Sequence, residues 1–389
     1  MIGYVERKIS SAILKAANLY PVITVTGPRQ SGKTTLVRHL FEHLPYYSLE
    51  NPDIRDLAET DPKGFLSESV MRKGMVLDEV QRCPQLLSYI QGMVDDNLDI
   101  KFVLTGSSNF SVMKSVTQSL SGRTAVFELM PFSLGEVMSQ MEGMTLDKLM
   151  FNGLYPAVWS KGQEPELMYP NYVKTYLERD VRDLLAVKDL NAFRKFIRLC
   201  AARIGSVFNA SELSSEIGVS VNTIKSWLSV LEASYIIILL QPFYENTRKR
   251  LTKSPKLYFV DTGLACYLLD IESVRQLQRD KMRGHLFENL IVTEALKQRL
   301  NRGKSGNMCF YRDSNGNEVD LITRSEGRLK LYEVKSSETF HPEFEKGIKS
   351  FCKEFPDRVE EGTVIYAGAT ENVTRDIRLI NYNTFALKE

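Results

Sequence analysis

The sequence predicts an α/β fold whose core is a parallel β-sheet with helices on both faces. Short apolar runs at 22–26, 75–80 and 101–108 each end in polar or small residues, and helix-like segments separate them. Such alternation of strands and helices is typical of a parallel sheet with both faces covered. Because ligands bind these sheets at the carboxyl ends of the strands, we expect the chemistry of the protein at that edge.

The length and composition indicate a globular protein of several domains. At ~150 residues per domain, a chain of 389 residues corresponds to two to four domains. Hydrophobic residues make up 43% and charged residues 25%, which excludes a chain that is disordered throughout. The 50 Lys and Arg against 48 Asp and Glu leave a net charge of +2. A nucleic-acid partner would therefore bind a local basic patch.

The cysteines and the apolar runs indicate the compartment. The 5 cysteines lie far apart, without a CxxC motif or a zinc-like Cys/His spacing, which is typical of reduced thiols. No stretch approaches the ~20 apolar residues of a membrane span. The first residues also lack the pattern of a signal peptide. We expect a cytoplasmic protein with no membrane partner.

The segment 27–34 has the pattern G-x-x-x-x-G-K-[ST] of a phosphate-binding loop, placed between a predicted strand and a predicted helix. In such a P-loop the backbone N–H groups and the helix N-terminus bind the phosphates. Lys33 would reach the β- and γ-phosphates, and the Thr34 hydroxyl would ligate Mg²⁺. The predicted nucleotide-binding residues are Gly27, Pro28, Arg29, Gln30, Ser31, Gly32, Lys33, Thr34 and Thr35.

Two acids, Asp78 and Glu79, end the second apolar run. At the carboxyl end of a strand beside a P-loop, Asp78 is predicted to hold Mg²⁺ and Glu79 to polarise the attacking water. The structural alternative is a helix N-cap with its first turn. Recognition motifs typical of GTPases are absent from the sequence, so ATP is the predicted nucleotide, with Mg²⁺ as its cofactor.

Thr105 and Ser107 end the third run and are candidate sensors of the γ-phosphate or of the attacking water. Their alternative is an ordinary glycine–serine turn. Arg123 follows a glycine and is a candidate arginine finger, supplied within the chain or by a neighbouring copy in an oligomer. The alternative for Arg123 is a surface arginine.

The motifs TGPRQSGKTTL, VLDEVQRCP, LTGSSN and LSGRT, with the PFSLGE that follows, resemble the AAA-type ATPase domain of a prokaryotic family of ATP-binding proteins. In that family a C-terminal domain of unknown function follows the ATPase domain, and the resemblance covers essentially the whole chain. It implies ATP binding and hydrolysis, with Lys33, Thr34, Asp78 and Glu79 in the roles given above. It implies no particular biological substrate.

Residues 209–228 have the pattern of two helices joined by a turn at Gly218, and strand-like runs at 235–243 and 256–260 would complete a winged helix. The residues that would face outward from the second helix, where DNA-binding proteins place their contacts, are Asn222, Thr223, Lys225 and Ser226. The wing segment 247–256 is rich in Lys and Arg, which bind phosphates. Alternatively, the winged helix only connects domains and the basic run is a solvated loop.

Three acids and a lysine near the C-terminus resemble the site of restriction-endonuclease-like folds of the PD-(D/E)xK type. Glu288 lies on a predicted helix, Asp320 follows a turn, and Glu333 and Lys335 form an E-x-K at the end of a strand. Asp320 and Glu333 would share Mg²⁺, Glu288 would complete the acidic cluster, and Lys335 would stabilise the charge that develops on the phosphate. Glu318 is an alternative first acid. The structural alternative is a buried lysine–carboxylate network without metal.

We therefore predict a P-loop ATPase core over 1–130, a helical extension over 131–188, a winged-helix-like domain over 189–265 and a nuclease-like domain over 266–389. Three functions agree with this organisation. The first is an ATPase that couples its nucleotide state to a nucleic-acid or partner transaction, and the second is an ATP-regulated nuclease. The third is an ATP-sensing scaffold that binds a protein partner and cleaves nothing. The basic run favours the first two functions, and the low net charge favours the third.

Overall fold

The computed structural model of the chain describes residues 4–96, 99–107, 119–140, 142–177, 189–243, 254–325, 327–372 and 376–387. These residues form two β-sheets, a five-stranded sheet in the first third of the chain and a seven-stranded sheet in the C-terminal part. A series of short helices lies between the two sheets in the sequence. Within the described ranges no helix is both long enough and apolar enough to span a bilayer.

The first sheet is parallel throughout and has the strand order β2-β3-β4-β1-β5. Its strands are β1 (Val22–Thr26), β2 (Tyr46–Ser48), β3 (Gly74–Asp78), β4 (Lys101–Thr105) and β5 (Thr124–Glu128). The accompanying helices are α1 (Ser10–Ala17), α2 (Lys33–Leu40), α3 (Pro52–Thr60), α4 (Pro62–Arg72) and α5 (Leu86–Asp96). Every residue of β1 and β3 is buried, because helices cover both faces of a parallel sheet. The predicted parallel α/β core is confirmed.

The segment after the first sheet is helical where the structure describes it. Its helices are α6 (Leu134–Val137), α7 (Leu146–Asn152), α8 (Pro156–Lys161) and α9 (Pro165–Tyr172), followed by a π-helical turn at Val173–Leu177. Ser133 and Glu136 form a capping box at the start of α6. Because Glu136 also accepts a hydrogen bond from Arg7 at 3.1 Å, this capping box joins the helical segment to the N-terminus of the chain.

The predicted pair of helices around Gly218 is present. The helices of this region are α10 (Leu190–Ala201), α11 (Ala210–Ile217) and α12 (Val221–Ala233). Gly218 ends α11 with a φ of 83°, a left-handed conformation that glycine adopts at little cost. The Ser220 hydroxyl then caps α12 by accepting a hydrogen bond from the Thr223 amide at 3.0 Å. On α12 the side chains of Asn222, Lys225 and Ser226 are exposed, as predicted, whereas Thr223 is half-buried.

The second sheet is mixed and has the strand order β12-β11-β10-β9-β8-β6-β7. Its strands are β6 (Ile237–Pro242), β7 (Lys256–Phe259), β8 (Met308–Arg312), β9 (Glu318–Ser325), β10 (Arg328–Lys335), β11 (Val359–Tyr366) and β12 (Ile377–Asn381). Its helices are α13 (Thr262–Leu268), α14 (Val274–Leu277), α15 (Arg283–Asn301), α16 (Lys346–Glu354) and α17 (Tyr382–Leu387).

The strands predicted to form the wing belong to this C-terminal sheet. β6 and β7 pair antiparallel with each other, and β6 also pairs parallel with β8 through Gln241 and Cys309. Side chains of β7 and α15 lie in one continuous apolar core, in which Leu257 and Phe287 are fully buried. Strand pairing and core packing therefore both continue across residue 265, where the predicted winged-helix-like domain ends.

The basic wing segment is described only at its end. Arg248, Lys249 and Arg250 lie outside the described residues. Lys256, which the sequence placed among the phosphate-binding cations of the wing, is the first residue of β7 and is only 1% exposed. This part of the wing prediction is wrong, because Lys256 points into a cluster of acids in the C-terminal region and cannot reach a nucleic acid in solvent.

Candidate functional site

The P-loop connects the carboxyl end of β1 to the N-terminus of α2, and its conformation depends on two glycines. Gly27 has a φ of 143°, and a Cβ at this position would lie 2.2 Å from the Leu129 carbonyl oxygen. Gly32 has a φ of 95° at the N-cap of α2. Because both conformations are unfavourable for residues with a Cβ, the loop requires glycine at these two positions.

Two polar groups of the loop are buried and available to a ligand. The Lys33 ammonium donates hydrogen bonds to the carbonyl oxygens of Gly27 at 2.9 Å and Pro28 at 2.8 Å. Burial lowers the pKa of Lys33 to about 8, and the nearby Glu79 and Asp78 oppose this shift. The Ser31 hydroxyl is buried without a hydrogen-bond partner among the described residues. An anion bound in the loop would supply partners for both groups.

The Asp78 carboxylate, at the end of β3, accepts three hydroxyl hydrogen bonds. The donors are Thr34 in the first turn of α2 at 2.8 Å, Tyr46 in β2 at 2.6 Å, and Thr105 at the end of β4. Burial and the bond to Asp78 both raise the pKa of Tyr46, which keeps its hydroxyl a proton donor. The predicted pair of metal ligands, Thr34 and Asp78, is thus in direct contact next to the P-loop.

The Glu79 carboxylate is also held in place. It accepts a hydrogen bond from the Ser107 hydroxyl at 3.0 Å and another from the Gln81 side-chain amide. Its backbone has a φ of 57°, a left-handed conformation that is uncommon for residues other than glycine. Glu79 makes no side-chain cap to the short helix that follows, so the helix-cap alternative is not supported for this residue. The predicted sensors Thr105 and Ser107 therefore each contact one acid of the pair.

Arg123 lies at the opposite end of the sheet from the P-loop. Its carbonyl oxygen accepts a hydrogen bond from the amide of Val22, at the start of β1. A strand of 5 residues separates this point from the loop, which corresponds to about 16 Å. The guanidinium pairs with both Asp95 oxygens, at 2.6 and 2.8 Å. The structure therefore does not support an arginine finger within the chain, and action of Arg123 on a neighbouring copy stays a prediction.

Three residues that the sequence did not single out complete this site. Tyr46 and Gln81 hold the two acids, as described above. The Arg7 guanidinium donates to the carbonyl oxygen of Ser31 at 2.9 Å and to that of Met130 at 2.6 Å. Arg7 lies far from the P-loop in the sequence, and no local pattern marks it as a partner of the loop.

The four residues predicted for a C-terminal site also come together. Lys335 Nζ lies 2.6 Å from Glu333 Oε1 and 3.8 Å from Asp320 Oδ2. A second ammonium, that of Lys256, lies 3.0 Å from Glu288 Oε1 and 3.7 Å from Asp320 Oδ1. Within the described part of the chain, no set of three or more Asp, Glu, His or Cys side chains is arranged to hold a metal ion. As arranged, these residues do not fit the predicted Mg²⁺ site.

The parallel sheet, the P-loop and the adjoining acid pair define a P-loop ATPase domain of the AAA class. Residues 19–138 match the family described as AAA domain. Residues 144–275 and 283–385 match two domains of unknown function, DUF8612 and DUF4143. The AAA-type domain and the C-terminal domain of unknown function expected from the resemblance are confirmed.

The chain belongs to the same family as an uncharacterized protein of Mycobacterium tuberculosis. The two are 30% identical over 353 residues, which cover 89% of this chain and 77% of that protein. An uncharacterized protein of Haemophilus influenzae is 21% identical over 340 residues, covering 80% of this chain and 81% of that protein.

Two solved structures that resemble the chain come from Pyrococcus abyssi and Thermotoga maritima. A Walker-type ATPase of Pyrococcus abyssi has a TM-score of 0.47 and 15% identity, covering 68% of this chain and 96% of that one. The RuvB Holliday junction branch migration motor of Thermotoga maritima has a TM-score of 0.29 and 15% identity, covering 60% of this chain and 87% of that one.

Proposed function

We propose that the protein is an ATPase that uses Mg²⁺ and couples its nucleotide state to the helices and the sheet that follow the ATPase domain. The observation that carries the proposal is the contact between the Thr34 hydroxyl and the Asp78 carboxylate at 2.8 Å, next to the P-loop. A hydroxyl from the first turn of the helix and a carboxylate from the end of another strand of the same sheet are the residue types that hold Mg²⁺ in P-loop ATPases.

The P-loop would bind the ATP phosphates through the backbone N–H groups of residues 29–35 and the N-terminus of α2. Lys33 would exchange the carbonyl oxygens of Gly27 and Pro28 for phosphate oxygens, since a charged acceptor gives the buried ammonium a stronger hydrogen bond. Bound Mg²⁺ would neutralise part of the phosphate charge next to Thr34 and Asp78.

Glu79 would act as the general base for the attacking water. Hydrogen bonds from Ser107 and Gln81 fix its carboxylate, so the acceptor is already oriented before the substrate arrives. A positioned general base typically contributes a factor of about 10² to 10⁴ to the rate.

Nucleotide titration and turnover test this function in the full-length protein. Lys33→Ala should lose tight binding of ATP with Mg²⁺, because the phosphates lose their buried positive charge. The matched control is Lys63→Ala, which removes an exposed lysine of α4, and it should bind ATP like the wild type. Equal ATP affinity in both variants would contradict the assignment of the loop.

The coupling part of the proposal is supported by contacts that the P-loop makes with later segments. Thr26, immediately before Gly27, shares a hydrogen bond of 2.8 Å with the Tyr235 hydroxyl, and Tyr235 lies between α12 and β6. The Arg29 guanidinium lies 5.6 Å from the centre of the Tyr176 ring, a cation–π distance. A rearrangement of the loop on ATP binding would therefore act on both segments.

The first candidate partner is a nucleic acid that binds the exposed side of α12 and whose binding is coupled to ATP turnover. Asn222, Lys225 and Ser226 are exposed there and are residue types that bind phosphates or base edges. ATP turnover should be measured with and without single- and double-stranded DNA and RNA. Stimulation that disappears in Lys225→Glu would support nucleic-acid coupling, and turnover indifferent to all of these nucleic acids would contradict it.

The second candidate function is the ATP-sensing scaffold that binds a protein partner and cleaves nothing. The ammonium of Lys256 among the C-terminal acids argues against cleavage, which this function does not require. A metal-dependent nuclease needs these carboxylates free to bind cations. The ATP-regulated nuclease is therefore the least supported of the three functions, and incubation of the protein with DNA and Mg²⁺ tests it directly.

A further inference from the structure

The C-terminal acid cluster is built by four elements of the structure around one buried lysine. We use the name acid cluster for Glu288 of α15, Glu318 and Asp320 of β9, and Glu333 of β10, together with Lys256 of β7 and Lys335 of β10. β7 is far from β9 and β10 in the sequence, and Lys256 reaches the acids because β7 belongs to the C-terminal sheet.

The Lys256 ammonium occupies the centre of this cluster. It lies 3.0 Å from Glu288 Oε1 and 3.7 Å from Asp320 Oδ1, and it also contacts Glu318. Its side chain is 2% exposed, and Nζ lies 5.5 Å from the centre of the Phe310 ring. Three carboxylates from two elements thus surround a single positive charge that has no access to solvent.

The other carboxylate of the cluster has an unused oxygen. Glu333 accepts a hydrogen bond from Lys335 through Oε1, whereas its buried Oε2 has no partner among the described residues. Burial raises the pKa of Glu333 to about 8, and the neighbouring Asp320 adds to this shift. Burial likewise raises the pKa of Glu288 to about 7, although Lys256 opposes it. Burial thus favours the protonated form of Glu288 and Glu333 in a cluster of four carboxylates and two ammoniums.

As long as Lys256 stays in place, the arrangement excludes a divalent ion that would bind Glu288, Glu318 and Asp320 together. Divalent ions bind carboxylate oxygens at about 2.0–2.6 Å. An ion in contact with Glu288, Glu318 and Asp320 would meet the ammonium that already contacts the same three side chains. At this separation two positive charges in a buried site repel strongly.

We propose that Lys256 is the resident cation of the acid cluster, in the position where carboxylates of this arrangement would otherwise hold a divalent metal. The tethered ammonium joins β7 to α15 and β9, and so fixes the strand pair that follows α12 onto the C-terminal sheet. The wild-type cluster then binds no divalent cation, and removal of the ammonium creates a divalent site.

Thermal unfolding of the full-length protein with and without millimolar Mn²⁺, in the absence of nucleotide, tests this inference. Mn²⁺ bound at the acid cluster should raise the melting temperature of the wild type by less than about 1 °C. It should raise that of Lys256→Met by about 3 °C or more. Asp320→Asn is the control that shows whether a change in melting temperature caused by Mn²⁺ arises at the acid cluster. Combined with Lys256→Met, it should reduce the Mn²⁺ effect to that of the wild type.

Two results obtained with folded protein would overturn the inference. One is a stabilisation of the wild type by Mn²⁺ that Asp320→Asn abolishes, and the other is a folded Lys256→Met protein that does not respond to Mn²⁺. If Lys256→Met alone is insoluble, the double variant with Glu318→Gln should recover soluble protein, because it removes one of the carboxylates left without a cation. Failure of both this double variant and added Mn²⁺ to recover folded protein would equally contradict the proposed role of Lys256.

Discussion

Replacing Tyr235 with phenylalanine removes one hydroxyl from the connection between the P-loop and the C-terminal half of the chain. Tyr235 is 4% exposed, and its hydroxyl lies 2.8 Å from Thr26 Oγ1. Burial raises the pKa of Tyr235, so the hydroxyl is neutral at physiological pH. The substitution keeps the ring and its packing, and therefore affects the hydrogen bond alone.

The expected size of the effect follows from these contacts. A buried hydrogen bond between neutral groups contributes about 1 kcal/mol to stability. The Thr26 hydroxyl also donates a hydrogen bond to the Phe127 carbonyl oxygen at 3.3 Å, so it is not left without a partner. We expect Tyr235→Phe to lower the free energy of unfolding by about 1 kcal/mol. If ATP binding uses this anchor of the loop, the dissociation constant for ATP should rise up to about 5-fold, the equivalent of the same energy.

Urea unfolding and ATP titration of the same samples measure the two quantities. The matched control is Tyr311→Phe, which removes another buried tyrosine hydroxyl, one that donates to Glu354 at 2.8 Å in the C-terminal sheet region. Both variants should lose stability, and only Tyr235→Phe should lose ATP affinity. Unchanged ATP affinity in Tyr235→Phe, or an equal loss in both variants, would refute the coupling through Thr26.

Three further predictions concern the P-loop, Asp78 and the acid cluster. Gly27→Ala should destabilise the protein by several kcal/mol and abolish ATP binding, because the new Cβ would lie 2.2 Å from the Leu129 carbonyl oxygen. A variant with the melting temperature and the ATP affinity of the wild type would contradict this prediction. Tyr46→Phe should lower the free energy of unfolding by about 1.5 kcal/mol, since a hydrogen bond of 2.6 Å to the Asp78 carboxylate is lost. If urea unfolding shows a loss below about 0.5 kcal/mol, this bond has no structural role. The buried Glu333, with its pKa raised to about 8, keeps a proton in the native state that the unfolded chain has already released. Stability should therefore fall as the pH rises from about 5 to 8, and the melting temperature of Glu333→Gln should fall less over this range than that of the wild type.

The local parts of the nucleotide site could be predicted from the sequence, because they depend on contiguous residues. The strand, loop and helix that surround Lys33 form one short segment, and their backbone requirements are visible as glycines at fixed spacing. That Thr34 and Asp78 lie near each other also follows from the sequence, since the parallel strands of one sheet carry their ligand-binding residues at the same edge. Tyr46, Arg7 and Tyr235 were not predictable in this way, because their contacts depend on how distant segments pack.

In the C-terminal half, contacts between distant segments were even less predictable from the sequence. The helix pair around Gly218 was predictable from helical periodicity and a turn residue. The sheet partner of β6 was not, because alternation of side chains does not identify the neighbouring strand. Lys256 was misassigned for this reason: within a basic run it has the pattern of a solvated cation, and only the pairing of β6 with β8 brings the hairpin that carries it to the acids.

The central claim is that the site hydrolyses ATP with Glu79 as its base, and single-turnover hydrolysis in Glu79→Gln tests it most directly. The variant removes the carboxylate that Ser107 and Gln81 hold in place, and Glu50→Gln, an exposed glutamate just after β2, is the matched control. We predict that all three proteins bind ATP with dissociation constants within about 2-fold, and that hydrolysis falls at least about 100-fold in Glu79→Gln alone. A wild type that binds ATP without hydrolysing it, or a Glu79→Gln protein with undiminished turnover, would contradict the claim.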